Sequence, residues 1–494
     1  MPVGIHDNRP NIVLIQADDQ TTAQFNRRVM PRTFKLLVDH GTMFTDYIAT
    51  TAECCPSRAS LITGQYAHNH GVSSNQVGYP GLRGKHDVLP VWLRRSGYQT
   101  MEVGSKYLNG YRELAGKKPA PGWSVWFNVL SHTQYYDYKL SANGHERTRA
   151  KQPADYITRV LARKATRLIQ KRATSTQPFY LQLDERAPHV TRTNDPYGGC
   201  DRLPVPDRRD EQAFAHARLP DSGSFNEDDM SDKPAYLRSI PSLGFRFKGH
   251  LLTKWRCALD SMIGVDRSVA NLVQAVKKAG ELNRTIFIYI SDNGLFYGQH
   301  RVVKGKVFPY EEAIRLPLVM QIPKRYRDGA ARLKRTGKLV GNIDLAPTIL
   351  DLAHARPCAR GKCRTMDGRS LMPLLTGHGQ WPRDRALLNE YKLPDLPHYS
   401  TCRFVAIRTR SEIYVEHHRV VNSATHECQA TLEKERYNLK DDPYELDSLC
   451  YGGAPDSCPH DATQTELERR LQRLRHCAGI RGRDHRVDGR PFCD

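Results

Sequence analysis

The sequence predicts an α/β protein, a sandwich of helices around a mostly parallel sheet, followed by a smaller α+β portion. Wholly apolar runs of strand length alternate with stretches of helical period, which is how βαβ units read. Asp18, Lys106, His189 and Asp292 each stand just past the end of such a run. Open α/β sheets gather their functional groups along that edge. After about Gly377 the texture shifts to short runs of a different kind. The expected division is 1–376 for the main portion and 377–494 for a C-terminal portion of antiparallel sheet and terminal helix.

Asn11–Ala17 is a continuous apolar run, as expected of a strand buried on both faces, and it ends in Asp18-Asp19. A helix is predicted from about Pro31 to His40, with Phe34, Leu37 and Val38 on one side and Gly41 as its stop. A short strand near Met43–Ile48 leads into Cys54-Cys55-Pro56-Ser57-Arg58, where Pro56 suits the first position of a helix. Pro90–Ser96 reads as a short helix, and Thr100–Val103 as a strand entering Gly104-Ser105-Lys106-Tyr107-Leu108-Asn109. Asp155–Arg172 is helical, with a stripe of Ile157, Val160, Leu161 and Leu168 and a solvated basic face. Phe179–Leu183 is a strand leading to Pro188-His189. From there to about Gly244 no period is sustained, and long irregular insertions of that kind are usually functional or mobile. A helix follows over Leu251–Ala279, then a buried strand, Thr285–Ile290, running into Asp292-Asn293-Gly294. Leu316–Ile322 is a strand and Asp344–Ala353 a helix. In the C-terminal portion Phe404–Thr409 and Glu412–Glu416 form a hairpin, Tyr437–Leu439 precedes a turn at Asp441-Asp442-Pro443, and Thr463–Arg475 is a helix.

At 494 residues the chain exceeds what one core usually supports. No apolar run approaches the roughly 20 residues of a membrane helix, and MPVGIHDNRP lacks the apolar centre of a signal peptide. The cysteines nevertheless point to export. Of 12, setting aside Cys54 and Cys55 leaves ten, among them the neighbours Cys358 with Cys363 and Cys477 with Cys493. An even set in loop-like sequence reads as disulfides of an oxidising compartment. Zinc is the rival reading for Cys358 and Cys363, although no second cysteine or histidine pair follows. Asn283-Arg284-Thr285 is a glycosylation sequon. Lys and Arg number 74 against 53 Asp and Glu, a formal net charge of +21. A field of that sign attracts polyanions such as nucleic acid, anionic membrane or sulfated glycan; a merely soluble charged surface is the alternative.

Cys54 falls where helix-end N–H groups point, a setting for a low-pKa thiolate or a bound anion. The pattern C-x-P-S-R-x-x-x-x-T-G over residues 54–64 resembles the signature of type I, formylglycine-dependent sulfatases. The resemblance implies an alkaline-phosphatase-like sandwich. It also implies that a separate formylglycine-generating enzyme oxidises Cys54 to an aldehyde whose hydrate is the nucleophile, with Cys55 at the variable position. It covers roughly Asn11 to Ala353 and reaches the C-terminal portion through "YNLKDDPYELDSL".

Asp18, Asp19, Asp292 and Asn293 offer only hard oxygens, which suit Ca²⁺ or Mg²⁺ better than zinc. "PNIVLIQADDQ" and "IFIYISDNG" match the sulfatase pattern, and the resemblance makes these four residues the metal ligands together with an oxygen of modified Cys54. It further implies that one hydrate hydroxyl attacks sulfur to form a covalent sulfate ester, and that deprotonation of the other expels sulfate. Lys106 and Lys306 are then the cations on the sulfate oxygens, with Lys304 a rival for the second place. Arg58 bonds the nucleophile and His189 protonates the leaving alcohol.

Many sulfatases carry Gly-Lys-Trp-His after the early strand, whereas Leu108 stands here at the histidine position. Lys106-Tyr107-Leu108-Asn109 and "CCPSRASLITGQYAHNHGV" resemble the N-acetylglucosamine-6-sulfatase branch and its heparan-sulfatase relatives. That likeness implies a sulfated sugar such as glucosamine 6-sulfate as substrate, Asn109 as a polar contact in place of the histidine, and a secreted or lysosomal setting. His68 and His70 either line the pocket or pack. No nucleic-acid partner is expected. The competing readings are a phosphomonoester or phosphonate-ester hydrolase of the same superfold, and a non-catalytic polyanion-binding protein whose Cys54 stays unmodified.

Overall fold

The computed structural model describes residues 7–130, 133–172, 175–359, 361–392, 401–422, 427–450 and 457–494. In chain order its main sheet comprises β1 (Asn11–Ala17), β2 (Thr42–Ile48), β3 (Gln99–Gly104), β4 (Val125–Val129), β5 (Tyr138–Ala142), β6 (His145–Arg149), β7 (Phe179–Asp184), β8 (Thr285–Ser291), β9 (Arg315–Gln321), β10 (Arg335–Thr336) and β11 (Val340–Gly341). Across the sheet the order is β10-β2-β9-β8-β1-β7-β3-β4-β5-β6, with β11 also paired to β2. The run β8-β1-β7-β3-β4 is parallel throughout. β9 is antiparallel to both β8 and β2, and β4, β5 and β6 form an antiparallel meander.

β1 shows why these strands read as uniformly apolar. All seven of its residues are buried, and alternate side chains enter different cores. Val13, Ile15 and Ala17 meet the helices Ile157–Lys171 and Phe245–Lys278, through residues such as Val160, Leu161, Met262 and Val265. Ile12 and Leu14 meet the opposite layer, which holds Leu61, Trp92 and Ile349. The helix–sheet–helix sandwich expected from the alternation is therefore present.

The differences from expectation have local causes. The long helix starts at Phe245 instead of Leu251, because its first turns are exposed and carry no apolar stripe. The helix expected over Pro31–His40 is one α-helical turn, Pro31–Thr33, continuing as a wider-wound Phe34–Val38 with Asp39 N bonded to Phe34 O. Asp266 of the long helix accepts from the Thr33 N–H and hydroxyl and anchors its start. β4, β5 and β6 were not anticipated. The insertion after His189 is irregular as expected, with only short helical turns such as Arg208–Asp210 and Ala235–Arg238, and the Cys200–Cys257 disulfide ties it to the long helix.

A small ribbon, β12 (Cys358–Ala359) with β13 (Lys362–Cys363), precedes a second sheet of β14 (Leu387–Lys392), β15 (Thr401–Arg408), β16 (Glu412–Asn422) and β17 (Glu427–Asn438). These four pair antiparallel in sequence order. The expected hairpin is β15–β16, and Tyr437 lies at the end of the longer β17. Helix Ala462–Leu474 packs on this sheet, and Leu387, Phe404 and Leu467 share a core with Phe296, Phe308 and Ile343 of the main portion. Cys358 pairs with Cys363 and Cys477 with Cys493, as read from their proximity, which overturns the zinc alternative for the first pair. Cys450 pairs with Cys458, and Cys54 and Cys55 are free and buried. The side chains of Cys402 and Cys428 lie outside the described residues. Among the described residues no helix is long and apolar enough to cross a membrane.

Candidate active site

The neighbouring strands β8, β1, β7 and β3 deliver the expected groups to one edge. Asp18 follows β1 directly, Asp292 follows β8, Lys106 lies two residues past β3 and His189 five past β7. Helix Cys54–Thr63 starts at the same edge with every residue buried, and its end is set by Gly64, whose φ of +68° closes the last turn. Asp19 also adopts a left-handed backbone, φ +72°, uncommon outside glycine. Its N–H donates to Asp292 Oδ1 at 3.1 Å, fixing the turn after β1 to the turn after β8.

Arg58, one turn into the helix, ties these groups together. Its Nε donates to Asp292 Oδ2 at 2.9 Å, its Nη2 to Asp18 Oδ2 at 3.3 Å and its Nη1 to the Lys106 carbonyl at 3.0 Å. Asp184 lies 3.4 Å from the same guanidinium. Behind it, Glu102 is buried beside Asp184 and accepts from Asn128 Nδ2 at 3.0 Å. Burial and the Asp184 charge push the Glu102 carboxyl well up, whereas at Asp18 the charges of His189, Lys106 and Arg58 outweigh burial and hold the carboxyl down. Asp184 and Glu102 were not singled out from sequence, nor was Arg186. Arg186 is fully buried and donates Nη2 to the Ser105 carbonyl at 2.7 Å, while its Nε and Nη1 have no hydrogen-bond partner. The available signal was a charged side chain inside or just after an otherwise buried strand.

Cys54 Sγ lies 3.3 Å from Asp18 Oδ1, and Lys306 Nζ donates to it at 2.8 Å and also to Asp19 Oδ1. The expectation of a low-pKa thiolate is corrected. Burial, with Asp18 alongside, pushes the Cys54 thiol up, outweighing the Lys106 and Lys306 ammonium groups. Lys306 reaches Cys54 and Asp19, whereas its rival Lys304 is exposed. Although burial opposes it, the Asp18 carboxylate helps to raise Lys106 above the ordinary lysine value. His189 Nε2 stands 3.7 Å from Asp19 Oδ2, and its Nδ1 is 2.6 Å from the Val190 carbonyl. Burial lowers its pKa to about 4 against the pull of Asp18 and Asp19, so the imidazole is neutral at neutral pH.

The oxygens of Asp18, Asp19 and Asn293 fit a hard divalent cation, while the neighbouring Cys54 thiol and His189 imidazole are softer donors. Asp18, Asp19, Cys54 and His189 each bring a ligand atom within 4.8 Å of the others. Asn293 Nδ2 is committed to Asp19 Oδ1 at 2.7 Å and Gly294 O at 2.8 Å, leaving its buried Oδ1 without a partner. An orphaned, oriented carbonyl oxygen beside carboxylates is what such a cation requires. Asp292 stands outside the compact group of four, its oxygens already accepting from Asp19 N, Asn293 N and Arg58 Nε.

Asn109 and Lys106 line one cleft together with Arg112, Trp126 and Asn128. Leu108, only 4% exposed, packs in the core with Tyr107 and Trp126. His68 and His70 are bonded within the fold and do not line the cleft. His68 bridges Glu390 Oε1 at 2.8 Å and the Cys477 carbonyl at 3.0 Å, and His70 bonds Ser60 Oγ at 3.0 Å and the Val72 N–H at 3.1 Å.

A mostly parallel sheet with its polar groups gathered at the strand ends places the molecule in the alkaline-phosphatase-like class of α/β folds. The sulfatase family model matches residues 10–355, and that for the C-terminal part of N-sulphoglucosamine sulphohydrolase matches 298–477. The chain belongs to the sulfatase family. N-acetylglucosamine-6-sulfatase of Capra hircus is 30% identical over 97% of this chain and 86% of its own. The extracellular sulfatase SULF-1 homolog of Drosophila melanogaster is 32% identical over 76% of this chain; this chain spans only 32% of that relative. A protein solved in complex with its substrate D-glucosamine-2-N,6-O-disulfate superposes with a TM-score of 0.74 at 22% identity, covering 94% of this chain and 97% of that one. The phosphonate monoester hydrolase of Agrobacterium radiobacter superposes with a TM-score of 0.62, also at 22% identity, covering 94% and 95%. At that identity the superpositions speak to the fold.

Proposed function

We propose that the protein removes the sulfate ester from a sulfated amino sugar of the glucosamine-6-sulfate type, outside the cytoplasm. The observation that carries the reading is Cys54 at a buried helix start, 3.3 Å from a carboxylate oxygen of Asp18 and 2.8 Å from the Lys306 ammonium. In this reading a formylglycine-generating enzyme converts Cys54 to the aldehyde whose hydrate is the nucleophile. Asp18, Asp19, Asp292, Asn293 and the modified Cys54 hold Ca²⁺, with Mg²⁺ as the alternative ion. The ion supplies charge stabilisation for oxygen when bound. Lys106 and Lys306 hold the sulfate oxygens, and Arg58 orients the nucleophile while keeping the carboxylates apart. His189 takes up a proton at Nε2 and passes it to the leaving alcohol. Asn109 contacts the sugar from the cleft it shares with Lys106. Leu108 buries itself and leaves no imidazole at its position.

The sugar is supported by the names of the goat and human N-acetylglucosamine-6-sulfatases and by the glucosamine disulfate held in the similar solved protein. The disulfides and the extracellular relative support an oxidising compartment. The division into a catalytic portion, 1–376, and a C-terminal portion, 377–494, belongs to the same reading. The test is turnover by the mature protein of a glucosamine 6-sulfate oligosaccharide against a phosphonate monoester, followed as released sulfate and released alcohol. The reading expects kcat/KM to favour the sulfate ester, with loss of turnover on chelation and its return with Ca²⁺. The reverse preference would make the protein a phosphonate-ester hydrolase.

A further inference from the structure

A second cluster lies away from Cys54, where the insertion, the loop carrying Lys306 and the C-terminal portion meet. His300 and Glu445 are fully buried there, and one ligand atom from each of His300, Glu312 and Glu445 lies within 4.8 Å of the others. Each side chain is anchored by one atom and free at another. His300 Nδ1 is 2.7 Å from Glu227 Oε2, Glu312 Oε1 accepts from Ser224 Oγ at 2.7 Å, and Glu445 Oε2 accepts from the Glu311 N–H at 2.9 Å. The remaining atoms, His300 Nε2, Glu312 Oε2 and Glu445 Oε1, are buried with no hydrogen-bond partner. His300 Nε2 and Glu312 Oε2 are 3.7 Å apart, too far for a hydrogen bond.

From this geometry we infer that His300, Glu312 and Glu445 form a second divalent-metal site, distinct from the oxygen cluster at Cys54, that takes Zn²⁺. The chemistry of the donors selects the ion. One imidazole nitrogen with two carboxylate oxygens is a zinc set, whereas the Asp18, Asp19 and Asn293 oxygens, with an oxygen of matured Cys54, favour Ca²⁺. The surroundings have the form that metal-binding histidines require. Against burial, Glu227 and Glu312 flank the ring and raise the His300 pKa to about 10, so zinc would displace a proton from Nε2 while Nδ1–H stays on Glu227, the carboxylate–histidine arrangement that orients such ligands. The other Glu227 oxygen pairs with the buried Lys233 at 2.9 Å. A dication would offset Glu312 and Glu445, and Lys233 is shared between Glu227 and Asp232. Ser224 and the Glu311 N–H hold the two carboxylates in place without occupying the oxygens that face the centre.

The site has a consequence for the reaction proposed above. Lys306 lies on the segment between His300 and Glu312, so zinc would hold that loop at both ends and join it to the C-terminal portion through Glu445. His300 and Glu445 are fully buried and Glu312 is half-buried, so three protein donors hold the ion and one position is left for water.

The test uses the full chain, stripped with chelator, saturated with Ca²⁺ to fill the oxygen cluster, incubated with Zn²⁺ and passed through gel filtration. Elemental analysis should find about one zinc per chain in addition to calcium. X-ray absorption at the zinc edge should show nitrogen and oxygen ligands at roughly 2.0–2.2 Å and no sulfur. Glu445→Gln and His300→Gln should each lose the zinc and keep the calcium. A wild-type chain that retains no zinc would overturn the inference and leave protons joining these groups. Sulfur in the zinc shell, or a Glu445→Gln chain retaining zinc, would overturn it equally. The wild-type measurements decide the matter even if both variants fail to fold.

Discussion

Arg58 shows how the site's charge is built from single residues. Its guanidinium, 4% exposed, is shared among Asp18, Asp184 and Asp292. Removing it leaves buried carboxylates without a counter-charge, so Arg58→Leu should cost about 3–5 kcal/mol of stability, as breaking a buried ion pair does. Urea unfolding at neutral pH measures this. A variant as stable as the parent would show that the carboxylates are balanced by other cations. At this scale much of the site was legible: a cysteine ahead of Pro56 and Arg58, paired acids ending a strand, and Asp292-Asn293-Gly294 ending another. Asp184, Glu102 and Arg186 were not, because a charged residue at a strand end takes its meaning from its neighbour across the sheet. Asp184 pairs in register with Gly104 of β3 and Gln16 of β1, and that juxtaposition exists only once the strands are ordered.

Among elements, the strands buried on both faces were the easiest to read, because apolar residues dominate them and polar ones such as Gln16 and Gln182 are few. The β5–β6 hairpin was missed although its turn was visible. Asn143 and Gly144 have φ of +52° and +91°, and Asn-Gly between short runs is the strongest local hairpin signal. β6 is mostly exposed, so it lacks the apolar alternation that would have marked it as a strand. The short helix Ala67–His70 joins β14 through His68, which bonds Glu390 Oε1 and the Cys477 carbonyl. Burial opposes charging of this imidazole, but Glu390 prevails and raises it from 6.5 to about 9. A raised folded-state pKa gives stability that is complete below the unfolded value, near 6.5, and is lost as pH rises through about 9. The contribution is at most about 3 kcal/mol for a shift of this size. His68→Gln should therefore be less stable than the parent at pH 6, and the gap should narrow by pH 9.5 when thermal unfolding is compared. A gap that is constant across this range would assign His68 a packing role with no ionic share.

For the whole molecule, the formal charge of +21 bears on how a polyanionic substrate would arrive. If the basic surface guides a sulfated polysaccharide, oligomers should bind better than a monosaccharide sulfate, and their advantage should shrink as salt rises. Exposed charges are screened beyond a Debye length of about 8 Å at physiological ionic strength, whereas buried lysines in a pocket are screened much less. A salt series of kcat/KM for both substrates measures this. Parallel slopes with no oligomer preference at low salt would make the charge a feature of solubility. Connections between distant segments lay beyond the sequence at this scale. Cys200 with Cys257 and Glu445 beside His300 are chosen by packing and not by spacing.

In the proposed reaction the helix start at the strand ends presents a matured Cys54 to a sulfate ester. Mass spectrometry of the peptide spanning Cys54, taken from a preparation of measured specific activity and set beside Cys54→Ala, tests it most directly. The peptide should carry aldehyde in place of thiol, activity should be proportional to the aldehyde fraction, and Cys54→Ala should release no sulfate. Full sulfate release from Cys54→Ala, or from a preparation in which Cys54 is entirely thiol, would contradict it.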